Sequence, residues 1–276
     1  MKNLITSALL LLALLLPATA AAYDFEADGI YYNLCNDEGT VEVTAAPYTN
    51  SYSGAVTIPA TVSHDDTSYT VTAIGEWAFA NSSLASVSIP NTVTTIGDYA
   101  FWICSDLTSV NIPNSVITIG KEAFLGCTSL ASVTIGNSVT TIGSEAFSGC
   151  SKLTSVTIPS SVTTIGNGAF WSCKGLTRLV VVSGNIKYDS REDCNAIIET
   201  ASNTLIVGCQ NTIIPNTVTT IGDDAFLGCT SLASVNIPNS VTSIGGGAFY
   251  NCEGLTSVTI PNSVTYIGPL AFAHCI

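Results

Sequence analysis

The dipeptide Ala-Phe occurs eight times in this chain of 276 residues, and its copies lie almost always 23 residues apart. The phenylalanines concerned are Phe79, Phe101, Phe124, Phe147, Phe170, Phe226, Phe249 and Phe272. A fixed period in the twenties is typical of a solenoid, in which small units of one kind stack on one another. The sequence therefore predicts a repeat solenoid, a class of fold that presents extended surfaces for binding.

One repeat combines a strand pattern with a turn pattern. Val110 and Ile112 alternate as in a short strand with one buried face, and Pro113 ends that strand because it has no N–H to donate. The apolar residues of segment 119–127 have the spacing of one face of a helical turn. Because one repeat cannot bury its own apolar face, we expect the phenylalanines of successive repeats to stack. We also expect the strands to pair into one continuous parallel sheet.

The same residues carry a family resemblance. Leu107-x-x-Val110-x-Ile112 resembles the start of a leucine-rich repeat, although Ser or Thr stands in the slot that usually holds Asn. The pattern Ile-Pro-x-Ser/Thr-Val-Thr-x-Ile-Gly-x-x-Ala-Phe-x-x-Cys resembles the BspA-like leucine-rich-repeat proteins over residues 56–276. The resemblance implies a right-handed solenoid with a parallel β-sheet on its concave face and short helical turns on its convex face. It also implies a secreted or surface role in adhesion or protein binding rather than catalysis.

Breaks in the period divide the chain. A charged Lys2 followed by a 13-residue apolar stretch is typical of a secretory signal peptide. We predict a signal peptide at 1–22, a small N-terminal β-cap at 23–57, leucine-rich repeats at 58–180, an irregular β-hairpin insertion at 181–214 and further repeats at 215–276. The chain should therefore be exported and then be secreted, periplasmic or held at the cell surface.

The composition excludes some classes of binding partner. Only 10% of residues are charged, and the formal net charge is −13. An acidic surface repels phosphate groups, so nucleic acids and anionic membranes are poor partners. After the signal segment no apolar stretch reaches membrane length, which predicts no integral membrane segment.

The hairpin insertion contains two cysteines in a suggestive register. If Glu199 faces Thr204 across the loop, Cys194 and Cys209 become direct cross-strand neighbours. Such neighbours are close enough for a disulfide in an exported protein. Two buried free thiols are the alternative reading.

Residues with catalytic or metal-binding chemistry are scarce. Seven cysteines each follow a repeat phenylalanine by three positions, which predicts a column of small buried side chains rather than metal ligands: Cys104, Cys127, Cys150, Cys173, Cys229, Cys252 and Cys275. His64 stands beside Asp65 in a predicted hairpin tip, where a solvated loop is the simpler reading than a catalytic base. We find no catalytic motif, and predict a non-enzymatic protein with no metal and no cofactor.

The best candidate for a binding surface is the outward face of the strands, since residues on either side of the Val slot point away from the core. This strand face comprises Ser109, Asn111, Ser132, Thr134, Ser155, Thr157, Arg178 and Val180. A second candidate is the hairpin insertion, with Lys187, Tyr188 and Arg191. The expected partner is an extracellular or host-surface protein, or a glycan.

Three readings of function stay open. The first is adhesion or protein–protein interaction through the strand face. The second is a structural spacer without a ligand of its own, and the third is a weak carbohydrate-binding module. The last strand, near 255–260, has no visible cap. Either another chain covers that C-terminal edge, as in self-association, or the sequence is a truncated member of its family.

Overall fold

The computed structural model describes residues 23–47 and 52–275, which consist almost entirely of short strands and turns. The predicted signal peptide lies outside the described residues. Within them, no helix is long and apolar enough to cross a membrane.

The N-terminal strands form the start of the solenoid. Strands β1 (Phe25–Ala27), β2 (Ile30–Leu34) and β3 (Thr40–Thr44) pair antiparallel. They are followed by β4 (Ser53–Thr57), β5 (Thr61–His64) and β6 (Thr67–Ile74). Strands β5 and β6 form the hairpin predicted around His64, and β3 joins the repeats by pairing parallel with β6. Strand β4, which the sequence analysis assigned to the β-cap, pairs parallel with a strand of the repeats.

In the first block of repeats, longer strands alternate with strands of two residues. They are β7 (Ser83–Ser88), β8 (Thr95–Ile96), β9 (Ser109–Asn111), β10 (Thr118–Ile119), β11 (Ser132–Thr134), β12 (Thr141–Ile142), β13 (Ser155–Ile158), β14 (Thr164–Ile165) and β15 (Arg178–Val181). Each two-residue strand pairs in parallel with its neighbours in adjacent repeats, as Thr118 does with Thr95 and Thr141. We call one such repeat a layer.

The hairpin insertion and the second block of repeats share a sheet. The insertion contains β16 (Tyr188–Asp189), a 3-10 helix (Arg191–Asp193), β17 (Ile197–Glu199) and β18 (Thr204–Val207). Strand β18 then pairs in parallel with β19 (Thr220–Ile221), which is followed by β20 (Ser243–Ile244) and β21 (Tyr266–Ile267). The hairpin therefore occupies the place of a repeat in the stack.

The prediction of one continuous sheet from the Leu-x-x-Val-x-Ile strands is wrong. The longer strands pair only two at a time, as β4 with β7, β9 with β11 and β13 with β15. In the second block they are reduced to an isolated bridge between Asn236 and Thr259. The larger sheets, of nine and six strands, instead contain the two-residue strands that end in Ile, such as Thr118–Ile119. The sequence analysis placed Ile119 at the start of a helical turn.

The predicted helical turns are also absent, since the 3-10 helix Arg191–Asp193 is the only helix among the described residues. The residues two before and two after each repeat phenylalanine have positive φ, such as Tyr99 at 58° and Ile103 at 52° around Phe101. An α-helix needs negative φ at every residue, so the chain forms successive turns instead. The N–H groups of Tyr99, Phe101 and Ile103 donate to carbonyls of the next layer rather than within the segment. We call this three-bond pattern the turn ladder.

The core is a column of stacked rings. Consecutive phenylalanines lie 4.9–5.6 Å apart between ring centroids, from Phe79 to Phe170 and again from Phe226 to Phe272. Planes within 13° of parallel confirm the predicted stacking. Between Phe170 and Phe226 the column is interrupted by the hairpin insertion.

The interruption divides the buried interior into two clusters. Ile197 packs with the first block of repeats, and its neighbour Ile198 packs with the second. Adjacent residues of a strand point to opposite sides, so β17 contributes a side chain to each cluster. The hairpin is thus a partition between two cores.

Candidate functional site

The strand face is exposed, as predicted. Ser109, Asn111, Ser132, Thr134, Ser155, Thr157 and Arg178 are exposed, while Val180 is half-buried. The parallel pairing sets Ser109 beside Ser132 and Ser155 beside Arg178, so hydroxyl groups of neighbouring layers lie side by side. Small hydroxyl and amide groups at strand spacing form a flat surface that can donate and accept hydrogen bonds.

Arg178 belongs to a group of cations without acidic partners. Of the lysines and arginines in the described residues, Lys121, Lys187 and Arg191 form ion pairs with carboxylates. The exposed Lys152, Lys174 and Arg178 form none. The backbone bonds from Gly175 N to Ser151 O and from Thr177 N to Thr154 O hold the two segments on adjacent layers. Lys152 and Lys174 precede the strands that contain Ser155 and Arg178 by a few residues. We call these three cations, one on the strand face and two next to it in the chain, the basic corner.

The predicted contact residues of the hairpin insertion are mostly engaged inside the protein. Tyr188 is buried, and its hydroxyl oxygen accepts a hydrogen bond from Ile165 N at 3.2 Å at the edge of β14. The exposed Lys187 pairs with Glu199 at 2.9 Å.

Arg191 is also engaged by other residues of the protein, and its hydrogen bonds stabilise the fold of the insertion. Its Nε donates to Asp189 Oδ1 at 2.7 Å, and its Nη1 donates to Asn203 Oδ1 at 2.8 Å and to Thr217 Oγ1 at 3.3 Å. These contacts tie the hairpin to the second block of repeats. The three residues that the sequence analysis named as contact candidates here, Lys187, Tyr188 and Arg191, therefore all have partners within the protein.

Cys194 and Cys209 are free thiols in the structure. The predicted pairing of Glu199 with Thr204 is confirmed, but a bulge between Ile197 and Ile198 shifts the register by one, so that Ile197 faces Val207. Cys209 Sγ instead donates to Asn195 O at 3.2 Å. The bulge removes the direct opposition on which the predicted disulfide depended.

A cleft of about 300 Å³ opens where the phenylalanine column is interrupted. One wall is the turn containing Gly168, Phe170 and Trp171, and the other contains Asp223 and Asp224. Tyr188, Glu199 and the strand β18 close the side. The hairpin layer has no Ala-Phe turn of its own, so the space that such a turn fills elsewhere is only partly occupied.

The turn ladder fails at this cleft. In the layer before it, Glu145 N and Phe147 N donate to the carbonyls of Asn167 and Ala169. The equivalent donors, Gly168 N and Phe170 N, have no acceptor among the described residues. Gly208 N donates a hydrogen bond to the carbonyl of Ala225, which would accept from Phe170 N in an unbroken ladder. Two backbone donors, two residues apart, therefore lie unpaired in the wall of the cleft.

The opposite wall contains Asp223 and Asp224, but both carboxylates are directed at the following layer. Asp223 Oδ1 accepts a hydrogen bond from Gly246 N, and Asp224 Oδ1 lies where it would collide with a Cβ on Gly247. Asp224 is half-buried, and its carboxylate makes no hydrogen bond or ion pair with a described residue. Burial, together with the neighbouring charge of Asp223, raises the pKa of Asp224. Glu199 differs, because hydrogen bonds from Ser202 and Lys187 lower its pKa. The Trp171 ring lies directly over Gly168, at a position only 2.5 Å from where a Cβ on that glycine would be.

Five members of the cysteine column are buried as predicted, while Cys229 and Cys275 are half-buried. All of the thiols except that of Cys229 donate to the carbonyl of the phenylalanine 25 or 26 residues earlier, as Cys127 Sγ does to Phe101 O at 3.2 Å and Cys150 Sγ to Phe124 O at 3.3 Å. Cys229 follows the layer that lacks a phenylalanine and reaches only Gly208 O, at 3.8 Å. Burial raises the pKa of these thiols, which keeps them protonated and unreactive.

Candidate metal and catalytic groups are isolated in the described part of the chain. It holds no cluster of three or more His, Cys, Asp or Glu side chains able to bind a metal ion. His64 Nε2 lies 3.4 Å from Asp65 Oδ2, and its ring stacks on Phe25 at 4.3 Å between centroids. The sequence analysis preferred a solvated loop to a catalytic base here, and the side chains of both residues are exposed in the structure.

Sequence reasoning missed the cleft altogether. The signal for it was present, because 56 residues separate Phe170 from Phe226, which is two periods and ten residues more, with no Ala-Phe between them. A layer without its turn leaves unfilled space, and the missing dipeptide marks where that space lies.

Comparisons with known proteins agree with this architecture. The sequence model of the BspA type leucine rich repeat region matches residues 62–195 and 204–276 in six copies. No curated protein shows significant similarity. Among solved structures, a leucine rich cell surface protein from Faecalibacterium prausnitzii A2-165 is 30% identical, with a TM-score of 0.54, over 91% of this chain and 80% of that one.

Two other solved structures are similar at comparable identity. A leucine-rich repeat protein from Bacteroides ovatus is 29% identical, with a TM-score of 0.56, over 92% of this chain and 80% of that one. A leucine rich repeat protein from T. pallidum is 28% identical, with a TM-score of 0.59, over 90% of this chain and 99% of that one. The chain belongs to the family of BspA type leucine-rich repeat proteins.

Proposed function

We propose that this protein is exported and binds another protein at a cell surface through its strand face. The observation that carries the proposal is the basic corner, Lys152, Lys174 and Arg178, which lies unpaired beside a flat row of exposed hydroxyl groups. Cations without partners on a chain of net charge −13 favour contact with an acidic surface. A similar solved structure, from Faecalibacterium prausnitzii, is a cell surface protein, which supports the location.

The proposed mode of binding is weak at each contact and strengthened by many copies. The strand face contains no aromatic residue and one large cation, so it lacks the buried aromatic anchors of tight interfaces. Display of many copies on one surface raises the overall avidity without new contacts. This suits adhesion better than tight capture of a soluble ligand. We propose that the protein has no catalytic activity and binds no cofactor.

The test is binding of the purified protein to immobilised extracellular-matrix proteins and to a glycan array. We expect saturable binding to a protein that weakens as salt rises, since exposed charge contacts are screened. Arg178→Ala should lower the affinity by about 10- to 150-fold, because a charge-assisted contact is worth ~1.5–3 kcal/mol. Lys121→Ala is the matched control, since it removes one positive charge away from this face.

Two outcomes would support other functions. Binding confined to glycans would favour the carbohydrate-binding reading. Absence of binding by a folded sample to any target would favour a structural spacer.

A further inference from the structure

We propose that the partner protein docks where the hairpin insertion interrupts the strand face, with an aliphatic side chain against an apolar patch and a carboxylate against Arg178. The apolar patch consists of Val180, Val182, Ile186 and Ile213. It belongs to the binding surface proposed above, so its role rests on that proposed function.

The strand face changes character at the hairpin insertion. In the other layers, the residue directly before the Ile that closes the strand is polar: Thr57, Ser88, Asn111, Thr134, Thr157, Asn236 and Thr259. The two layers at the insertion hold Val180 and Ile213 in this position instead. Ile213 is 71% exposed, so its side chain contributes little to either core. Apolar side chains in successive layers of an exposed face are typical of a surface that a partner covers.

The members of the apolar patch lie on neighbouring segments of the chain. Val180 and Val182 are two residues apart on β15 and its continuation, so they point to the same side. Segment 190–196 lies between β15 and Ile213, and it is hydrogen-bonded to β15 on one side and to the N–H of Ile213 on the other. A single partner surface can therefore cover both strands.

Ile186 is held outward in a fixed position. It is 86% exposed, more than any other large apolar side chain among the described residues. The Nδ2 of Asn185 donates to Pro159 O at 3.0 Å and to Val162 O at 2.9 Å, and its Oδ1 accepts from the N–H groups of the two residues after Ile186. Asn185 N also donates to Val182 O at 3.3 Å, which keeps Ile186 next to β15. An anchor on a fixed backbone loses little conformational freedom when it binds.

Arg178 places a cation beside the apolar patch. It lies two residues before Val180 on the same face of β15, about 7 Å along the strand. The exposed acids Glu192 and Asp193 lie in segment 190–196, but neither forms an ion pair with Arg178. A carboxylate of the partner would give Arg178 a charge-assisted bond. The chemistry of the site therefore selects an aliphatic side chain with a carboxylate next to it.

The experiment is a titration of the purified, ¹⁵N-labelled protein with the blocked tripeptide acetyl-Asp-Leu-Asp-amide, followed by nuclear magnetic resonance. We expect the amide signals of Val180, Ile186 and Ile213 to shift and saturate. The tripeptide acetyl-Asp-Ser-Asp-amide lacks the aliphatic side chain, and acetyl-Lys-Leu-Lys-amide lacks the carboxylates. Each should bind at least about fourfold more weakly, since about fourfold is the effect of a single methylene group buried in the contact.

Two matched substitutions separate the patch from other exposed isoleucines. Ile213→Thr restores the polar residue of the other layers and should raise the dissociation constant of acetyl-Asp-Leu-Asp-amide about fourfold. Ile117→Thr is the control, because Ile117 is also exposed and also stands where neighbouring layers have threonine, as Thr94 and Thr140, but it lies off the strand face. This variant should bind the peptide as the unaltered protein does.

The proposal would be overturned if acetyl-Asp-Leu-Asp-amide shifted none of the three signals, or if the serine or lysine peptide bound equally tightly. Equal affinities of Ile213→Thr and Ile117→Thr would also overturn it. The titration uses no matrix protein. A protein target bound through the hydroxyl groups, with no response to the peptide, would therefore refute the patch and leave the proposed function standing.

Discussion

The rings of Phe124 and Phe147 lie 5.1 Å apart between centroids, with their planes only 1° from parallel. Both side chains are fully buried, and each touches a ring on either side. Such contact links each layer to the next within a block of repeats, on either side of the hairpin insertion.

Removing one ring from this column should be costly. Phe124→Ala is expected to lower the free energy of unfolding by about 3–5 kcal/mol, because it leaves a cavity that the stacked layers cannot close. Urea denaturation followed by circular dichroism measures the change. Ile117→Ala serves as a control, since Ile117 is exposed and its loss should cost less than about 0.5 kcal/mol. A cost at Phe124 no greater than at Ile117 would contradict the stacked core.

Thiol chemistry distinguishes the two readings of Cys194 and Cys209. The native protein should be alkylated slowly and at no thiols beyond Cys35, Cys229 and Cys275, the cysteines that are not buried. Burial also raises the pKa of Cys35 and Cys275, which slows their reaction near neutral pH. After unfolding without reductant, intact mass should show labels on all ten cysteines. Eight labels would mean that a disulfide forms despite the bulge.

The hairpin insertion should show an acid-sensitive contribution to stability. Burial alone would raise the pKa of Asp189, but hydrogen bonds from Arg191 and Thr200 outweigh it and lower the pKa overall. A carboxyl whose pKa is lower in the folded state stabilises the fold above its unfolded pKa, about 3.9. That contribution is lost as the pH falls through the folded value.

The measurement is the free energy of unfolding against pH, compared with Asp189→Asn. The variant should be less stable at pH 7 by about 1.5–3 kcal/mol, the range for hydrogen bonds to charged groups. The two proteins should converge as the pH falls below the pKa of Asp189 in the folded state. Asp106→Asn, at an exposed site, is the control and should track the unaltered protein. A gap between Asp189→Asn and the unaltered protein that stayed constant with pH would refute the ion-pair explanation.

The repeat itself could be predicted from sequence because its signal is periodic. Stacking of Phe101 on Phe124 follows from spacing alone, and so does burial of Cys127. The helical turn was predicted because apolar spacing in segment 119–127 fits a helix, but spacing does not report φ. The left-handed φ of Glu122 and Gly126, which permits bonds between layers, is visible only in the backbone.

The candidate sites also differ in how far they could be predicted from the sequence. Exposure of Ser132 and Arg178 follows from the alternation of a strand, so the strand face could be read from the sequence. Burial of Tyr188 and the engagement of Arg191 depend on how the hairpin folds against the layers, which no periodic pattern records. The register of Cys194 and Cys209 fails for a related reason, since a one-residue bulge has no signature in composition.

The opposed packing of Ile197 and Ile198 has a consequence for cooperativity. Each isoleucine belongs to a different buried cluster, so the single strand β17 is the boundary between two apolar interiors. In a linear array, the free energy of unfolding is the sum of the contributions of the individual layers and of the interfaces between neighbouring layers. The cooperativity of unfolding is therefore limited by the weakest interface. The interface at the hairpin lacks a phenylalanine stack and two ladder bonds. Melting that begins at one end can halt at this strand, leaving a half-folded array with the other core intact.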